Sequence, residues 1–345
     1  MTTLNGSDSI LALRDLTTIF GDVGKGGAGT VAADRVSLAL EESPPRILNI
    51  VGESGSGKTT VARTLLGLSK PSKGQALYRG KNIYELNKDE IRTYRTEVQA
   101  VFQDPYGIYN PYYKINRVFD MTIKKFKLAS SDKEKTDLIE DALRAVSLRP
   151  PDVLGRYPHQ LSGGERQRIM LARAYLLRPK VIIADEPISM LDVAVRATLM
   201  NIFLDFKDQH GMSTIFITHD LSAAYYLGGD IMVMSRGRVV EEGPVEAVMA
   251  NPTHPYTQLL LQSIPSPDPD VTWNQLAPPP HEAPVGRLAS RDRCLFAERC
   301  PFVMDKCWQA RPAFYSIASQ HAACYLLAGT PDSSRQTTET VGGRR

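Results

Sequence analysis

Gly52–Thr59 reads GESGSGKT, a glycine-rich run that closes on a lysine and a hydroxyl. Glycines at Gly52, Gly55 and Gly57 let backbone N–H groups close around phosphate oxygens. Ser54, Ser56 and Thr60 complete the candidate binding set. Lys58 is placed to contact β- and γ-phosphates, and the Thr59 hydroxyl to ligate Mg²⁺. A second segment, VIIADE (Val181–Glu186), is four apolar residues followed by two carboxylates. Asp185 suits Mg²⁺, directly or through water. Glu186 suits the general base that polarises an attacking water. The two segments describe a nucleoside triphosphate site.

Leu161–Glu165 reads LSGGE. Ser162 and Glu165 have the spacing of a capping box and predict a helix start there. A cap accounts for those two residues, but a helix gains nothing from adjacent glycines in its first turn. Bare N–H groups at Gly163 and Gly164 would make a second anion site at a helix N-terminus. Two separated phosphate sites in one chain imply that one is offered to a partner's nucleotide.

These residues need a scaffold. The glycine-rich run follows a short apolar strand, Arg46–Val51, and opens into a helix that ends near Gly67, the setting the motif requires. The pair Asp185-Glu186 ends a buried-type strand, where open α/β sheets place ligands. Further strands are expected at Ile10–Phe20, Arg35–Leu40, Val98–Phe102 and Thr214–Thr218, with a late hairpin through Ile231–Ser235 and Val239–Glu241. Residues 112–177 turn helical, with Ile139, Ala142, Leu143 and Val146 at helical spacing. The expected fold class is α/β: a mostly parallel sheet carrying a helical subdomain. Seven prolines between Ile264 and Pro284 mark a linker or extended arm. The expected organisation is a disordered start (1–8), a nucleotide-binding domain (9–262), a proline-rich linker and cysteine-bearing appendage (263–329) and a disordered tail (330–345).

Composition narrows the function classes. A formal net charge of +3 argues against a nucleic-acid binder, which would show a basic stripe. The start, MTTLNGSDSILAL, does not read as a signal peptide, and no apolar run is long enough to span a bilayer.

On several independent motifs, residues 10–262 resemble the ABC ATPase family. The resemblance implies a P-loop fold, ATP and Mg²⁺ as cofactors, and ATP hydrolysis. It carries over residue by residue. Gln103, ending VQAVFQ, matches the glutamine that senses Mg²⁺ and the membrane subunit. Ser189–Asp192 (SMLD) matches the loop that crosses the dimer interface, with Asp192 in the composite site. His219 matches the switch histidine at the γ-phosphate. Phe20 matches an aromatic that stacks on adenine, with core packing as the competing reading.

Within that family, FQDPYGIYNP, YPHQLSGGERQR and NPTHPYTQLLL resemble the oligopeptide/dipeptide importer ATPases, and FQDPYG resembles the second of two paired subunits. The implied function is ATP-driven uptake of peptides at the cytoplasmic face of the membrane. The implied partners are a homologous second ATPase subunit, two transmembrane permease subunits and, indirectly, an extracytoplasmic solute-binding protein. Tyr106, Tyr109, Tyr112 and Tyr113 fall in the region resembling the permease-docking surface. Departures are Glu165 where glutamine is common, Met190 where a small residue is usual, and Ile108-Tyr109 in place of Ser-Leu. Oligosaccharide importers share these motifs. Soluble ABC ATPases usually carry tandem nucleotide domains or a long coiled-coil insertion, and this chain has neither.

All four cysteines lie in one C-terminal window, Cys294, Cys300, Cys307 and Cys324. Without a secretory signal, clustered thiols more often hold metal than pair. Their spacing is looser than zinc's typical pattern, and four thiolates suit a [4Fe–4S] cluster, which some of the similar importer ATPases carry. Zinc and free thiols are the alternatives.

Overall fold

The computed structural model describes residues 9–21, 29–104, 107, 109–264, 291–329 and 334–336. The expected disordered start and nearly all of the proline-rich linker lie outside these residues, as do Tyr106 and Ile108. Strands β1 (Ser9–Phe20) and β2 (Thr30–Glu41) pair antiparallel, so the second strand is longer than its apolar alternation predicts. β3 (Ile47–Val51) leaves for a second sheet, while β4 (Lys73–Tyr78) and β5 (Lys81–Asn82) complete a four-stranded antiparallel sheet, ordered β2-β1-β4-β5. The sequence pointed to one mostly parallel sheet; this separate layer is the difference.

The parallel part of the second sheet consists of β3, β6 (Val98–Val101), β7 (Val181–Asp185), β8 (Ser213–Thr218) and β9 (Asp230–Ser235). Their near-continuous apolar sequences follow from burial on both faces. Ile182, Ala184 and Phe216 point into one core with the helices Gly163–Tyr175 and Val193–Asp208. Val181, Ile183, Ile215 and Ile217 point into the other, which the antiparallel sheet and the helix Lys58–Leu65 cover. The helices Asn116–Phe126 and Asp132–Ala145 extend the first core through Phe119, Ile123, Ile139 and Leu143, as their helical spacing predicts.

The cysteine segment is not a separate appendage. β10 (Arg238–Pro244) makes the expected hairpin with β9, and β12 (Gln320–Ala322) then pairs antiparallel with β10. β11 (Phe314–Ile317) and β13 (Ser334–Gln336) continue the edge, giving the order β13-β11-β12-β10-β9-β3-β8-β7-β6. β13 lies in a stretch expected to lack structure. Phe296, Cys300, Cys307 and Trp308 bury against Val51, Val233, Val240 and Tyr256 of the nucleotide-binding body. A segment too poor in apolar residues to form its own core shares one instead.

Candidate nucleotide site

The C-terminal ends of β3, β7 and β8 lie side by side, and the chemistry-bearing residues project from them. After β3 the chain makes its glycine-rich turn. Gly57 caps the following helix with φ of 101°, and a Cβ there would lie 2.3 Å from the Ala32 carbonyl oxygen. At Gly52 a Cβ would come within 2.1 Å of the Met234 oxygen. Both positions therefore exclude any side chain.

Lys58 is buried, and its Nζ donates to the carbonyls of Gly52 (2.7 Å) and Glu53 (3.0 Å). Burial holds its pKa below the usual lysine value, against the opposing pull of Glu186, Asp185 and Glu53. The Thr59 hydroxyl donates to Asp185 Oδ1 at 3.2 Å. Burial pushes the Asp185 carboxyl up; the Thr59 hydrogen bond lowers it and neighbouring Glu186 raises it again. A half-desolvated carboxylate beside a second carboxylate and a hydroxyl is a hard-oxygen donor set that a divalent cation would relieve. Mg²⁺ fits these residues.

Glu186 sits at φ 51°, in the left-handed region that non-glycine residues occupy at a cost. Its N–H donates to the Ile217 carbonyl at 2.9 Å, and His219 Nδ1 lies 2.7 Å from its Oε2. Ser189 Oγ donates to the Glu186 carbonyl at 3.0 Å. The loop Ser189–Asp192 thus starts on the candidate base and ends at Asp192, which begins the helix Val193–Asp208 without a side-chain cap. Met190 and Val193 are exposed.

The other sequence-predicted residues are placed around this centre. Phe20 is 49% exposed at the end of β1, so the core-packing alternative does not hold. Gln103 is exposed just beyond β6; the preceding Phe102 is held to the helix Gly163–Tyr175, its carbonyl accepting from Gln167 Nε2 at 3.1 Å. Ser162 and Glu165 form the predicted capping box, Ser162 Oγ accepting at 3.2 Å and Glu165 Oε2 at 2.7 Å. Among the described hydrogen bonds none joins Ser162–Gly164 to Gly52–Thr59. Gly164 has a packing reason that the sequence reading missed: a Cβ there would lie 2.5 Å from Val195 Cγ1. Tyr109 is buried, donating to the Arg166 carbonyl at 2.8 Å, whereas Tyr112 and Tyr113 are exposed. Among the described residues the tyrosine cluster therefore divides into one structural residue and two surface ones.

The four cysteines line one cavity together with His254 and Phe296. All four are free thiols. Burial raises the pKa of Cys294, that of Cys300 to about 11 and that of Cys324 to about 12. Among the described residues, no three His, Cys, Asp or Glu side chains converge as a metal-ligand set. The expected cluster is thus not preformed among the described residues, and ligation would require the thiols to converge and deprotonate.

Sequence reasoning also missed what holds the phosphate loop. Glu53 is bonded by Tyr256 and Arg299, residues 203 and 246 positions away. The motif NPTHPY was the visible signal for the first; nothing local marked the second.

Comparison with known proteins agrees with this geometry. Residues 34–189 match the family described as ABC transporter, and residues 240–307 match the C-terminal region of oligopeptide/dipeptide transporters. The di/tripeptide transport ATP-binding protein DppF of Pseudomonas aeruginosa is 37% identical over 326 residues, 92% of this chain and 98% of that one. The oligopeptide transport ATP-binding protein OppF of Escherichia coli is 36% identical over 300 residues, covering 85% and 87%. Among solved structures, a dimeric ATP-binding cassette in a post-hydrolysis state with ADP and Pi superposes with a TM-score of 0.60 at 27% identity, covering 68% of this chain and 98% of that one. A cassette of Clostridium perfringens from an ABC transporter complex gives 0.60 at 25% identity, covering 71% and 92%. Phosphate loop, paired carboxylates, histidine and capped LSGGE helix are all set on this shared scaffold, and the chain belongs to the ATP-binding subunits of ABC transporters, in the oligopeptide/dipeptide branch.

Proposed function

We propose that this chain hydrolyses MgATP at an interface with a homologous ATPase subunit and thereby powers uptake of peptides through separate membrane subunits. The observation that carries it is the convergence of Lys58, Thr59, Asp185, Glu186 and His219 at the ends of three neighbouring parallel strands. The phosphate loop would hold the triphosphate, with Lys58 turning from the loop carbonyls to the β- and γ-phosphates. Thr59 and Asp185 would hold Mg²⁺, which supplies charge neutralisation at the phosphates. Glu186 is the base toward water, oriented by His219 and by its own constrained backbone. Gln103 would report the Mg²⁺ to the membrane subunit, and Phe20 would stack on adenine.

Among the described hydrogen bonds none joins the signature residues Ser162–Gly164 to this chain's own phosphate loop, which supports donation to a partner's nucleotide. Exposed Met190 and Val193 beside Asp192 support the same reading, because apolar side chains there await a covering surface. No helix among the described residues is long and apolar enough to cross a membrane. We place the chain at the cytoplasmic face, attached through permease subunits, with exposed Tyr112 and Tyr113 toward them. Purification of the complex from native membrane, followed by peptide-stimulated ATP hydrolysis in proteoliposomes, tests the whole assignment. Stimulation by oligosaccharides instead would redirect the substrate class.

For the cysteine segment we infer a metal-binding role. Four free thiols bordering one cavity support it. A [4Fe–4S] cluster is the favoured occupant and zinc the competitor.

A further inference from the structure

Glu53, the second residue of the phosphate loop, is held at three points. Its N–H donates to the Tyr256 hydroxyl at 3.0 Å, and its carbonyl accepts from Lys58 Nζ at 3.0 Å. Its carboxylate takes two hydrogen bonds from Arg299, both at 3.1 Å. The paired donors fix the carboxylate in orientation as well as distance. Tyr256 and Arg299 in turn rest on one residue, Phe296. The Tyr256 ring meets Phe296 edge-on at 5.5 Å, and the Arg299 N–H donates to the Phe296 carbonyl at 2.9 Å. Phe296 is buried beside Cys300 and Cys307.

A second bridge reaches the same loop. The Gly237 N–H donates to the Ser56 carbonyl at 2.9 Å, and neighbouring Arg236 donates to the Leu295 carbonyl at 2.9 Å and to Glu298 at 3.0 Å. The cysteine segment therefore holds the phosphate loop directly at Glu53, through Arg299, and reaches Ser56 only through the Arg236-Gly237 turn. Arg299 and Glu53 are each nearly half exposed, so their pairing adds little to global stability. Its consequence is local: it fixes the residue whose carbonyl holds the Lys58 ammonium.

We propose that Arg299 and Tyr256 are positioning residues of the ATP site, setting through Glu53 the loop that presents Lys58 to the nucleotide. The C-terminal segment thereby tunes nucleotide affinity. This rests on Gly52–Thr59 being the phosphate loop. It gives the NPTHPY motif a role: the turn delivers Tyr256 to Glu53.

The test uses the full chain and four proteins: wild type, Arg299→Met, Arg299→Lys and Tyr256→Phe. MgATP dissociation constants, KM, kcat and melting temperature are measured on each. Arg299→Met and Tyr256→Phe should each weaken MgATP binding and raise KM by about threefold to tenfold, with kcat within about twofold of wild type. Arg299→Lys should recover only part of the loss, because an ammonium keeps the charge but not the paired donors, and the melting temperatures of the Arg299 variants should stay with wild type. Variants indistinguishable from wild type in affinity would overturn the proposal. So would a fall in kcat and melting temperature at unchanged KM, the mark of a merely structural contact. The underlying loop is checked separately: wild type binding MgATP while Lys58→Ala does not shows the site itself, whatever the Arg299 and Tyr256 variants do.

Discussion

His219 Nδ1 lies 2.7 Å from Glu186 Oε2, a contact between residues that follow two adjacent parallel strands, β7 and β8. The pairing gives Glu186 an orientation that its own backbone, at φ 51°, already restricts. Replacing Glu186 by Gln keeps size and hydrogen bonding but removes the base. Steady-state hydrolysis should fall by about 10²-fold or more while MgATP binding persists. Near-normal single-turnover hydrolysis by that variant would remove Glu186 from the role.

Ser162 and Glu165 cap the start of their helix by bonding to each other, and on the proposed reading Ser162–Gly164 completes a site on another chain. The isolated chain should hydrolyse slowly, and specific activity should rise steeply when the homologous subunit is added. Substitution of Ser162 should then depress activity of the pair without changing MgATP affinity at Lys58 of the same chain. Concentration-independent full activity of a purified monomer would contradict a composite site.

Gly164 is needed for packing whether or not it meets nucleotide. A Cβ there stands 2.5 Å from Val195 Cγ1, so Gly164→Ala should cost about 1–3 kcal/mol of stability. Adding Val195→Ala should return much of it in thermal melts. If the double variant is stable yet inactive with its partner subunit, the two roles of Gly164 separate cleanly.

Glu242 on β10 is partly buried, opposite His321 in the ladder. Burial, and then the Asp230 carboxylate, raise its pKa from 4.5 to about 7. The folded state thus holds this proton more tightly than the unfolded chain. Stability from this group is full below about pH 4.5 and declines as pH rises through 7. Glu242→Gln should therefore raise the melting temperature at pH 8, by about 2–4 °C, and leave it unchanged at pH 4.5. An equal gain at both values would show that the carboxyl does not titrate in this way.

Protein prepared without oxygen should be brown, with about four irons per chain and matching sulfide, if the four thiols hold a [4Fe–4S] cluster. Cys324→Ser should reduce that content, since Cys324 comes to the cavity from beyond β12. Colourless protein with one zinc would assign the site to zinc. Metal-free protein in which Cys324→Ser changes nothing would leave the thiols as packing groups.

The amino-acid sequence by itself determined which residues carry the chemistry proposed for the nucleotide site. Lys58, Thr59, Asp185 and Glu186 are legible because the role proposed for each motif depends on local geometry: a glycine turn, a helix start, a carboxylate ending an apolar strand. The capping box at Ser162 was legible for the same reason, and the helical subdomain declared itself through spacing. What only the tertiary structure decided depends on residues far apart in the chain. His219 and Glu186 meet because β7 and β8 are neighbours in the sheet. Gly164 is small because Val195 lies against it, and Phe20 is exposed at the end of the strand whose Leu11, Leu13 and Leu16 enter the core. The cysteine segment, read as an appendage for want of apolar residues, became part of the body by extending the sheet edge at β10. Strand pairing needs no distinctive side chains, since its bonds are made by backbone groups that every sequence carries.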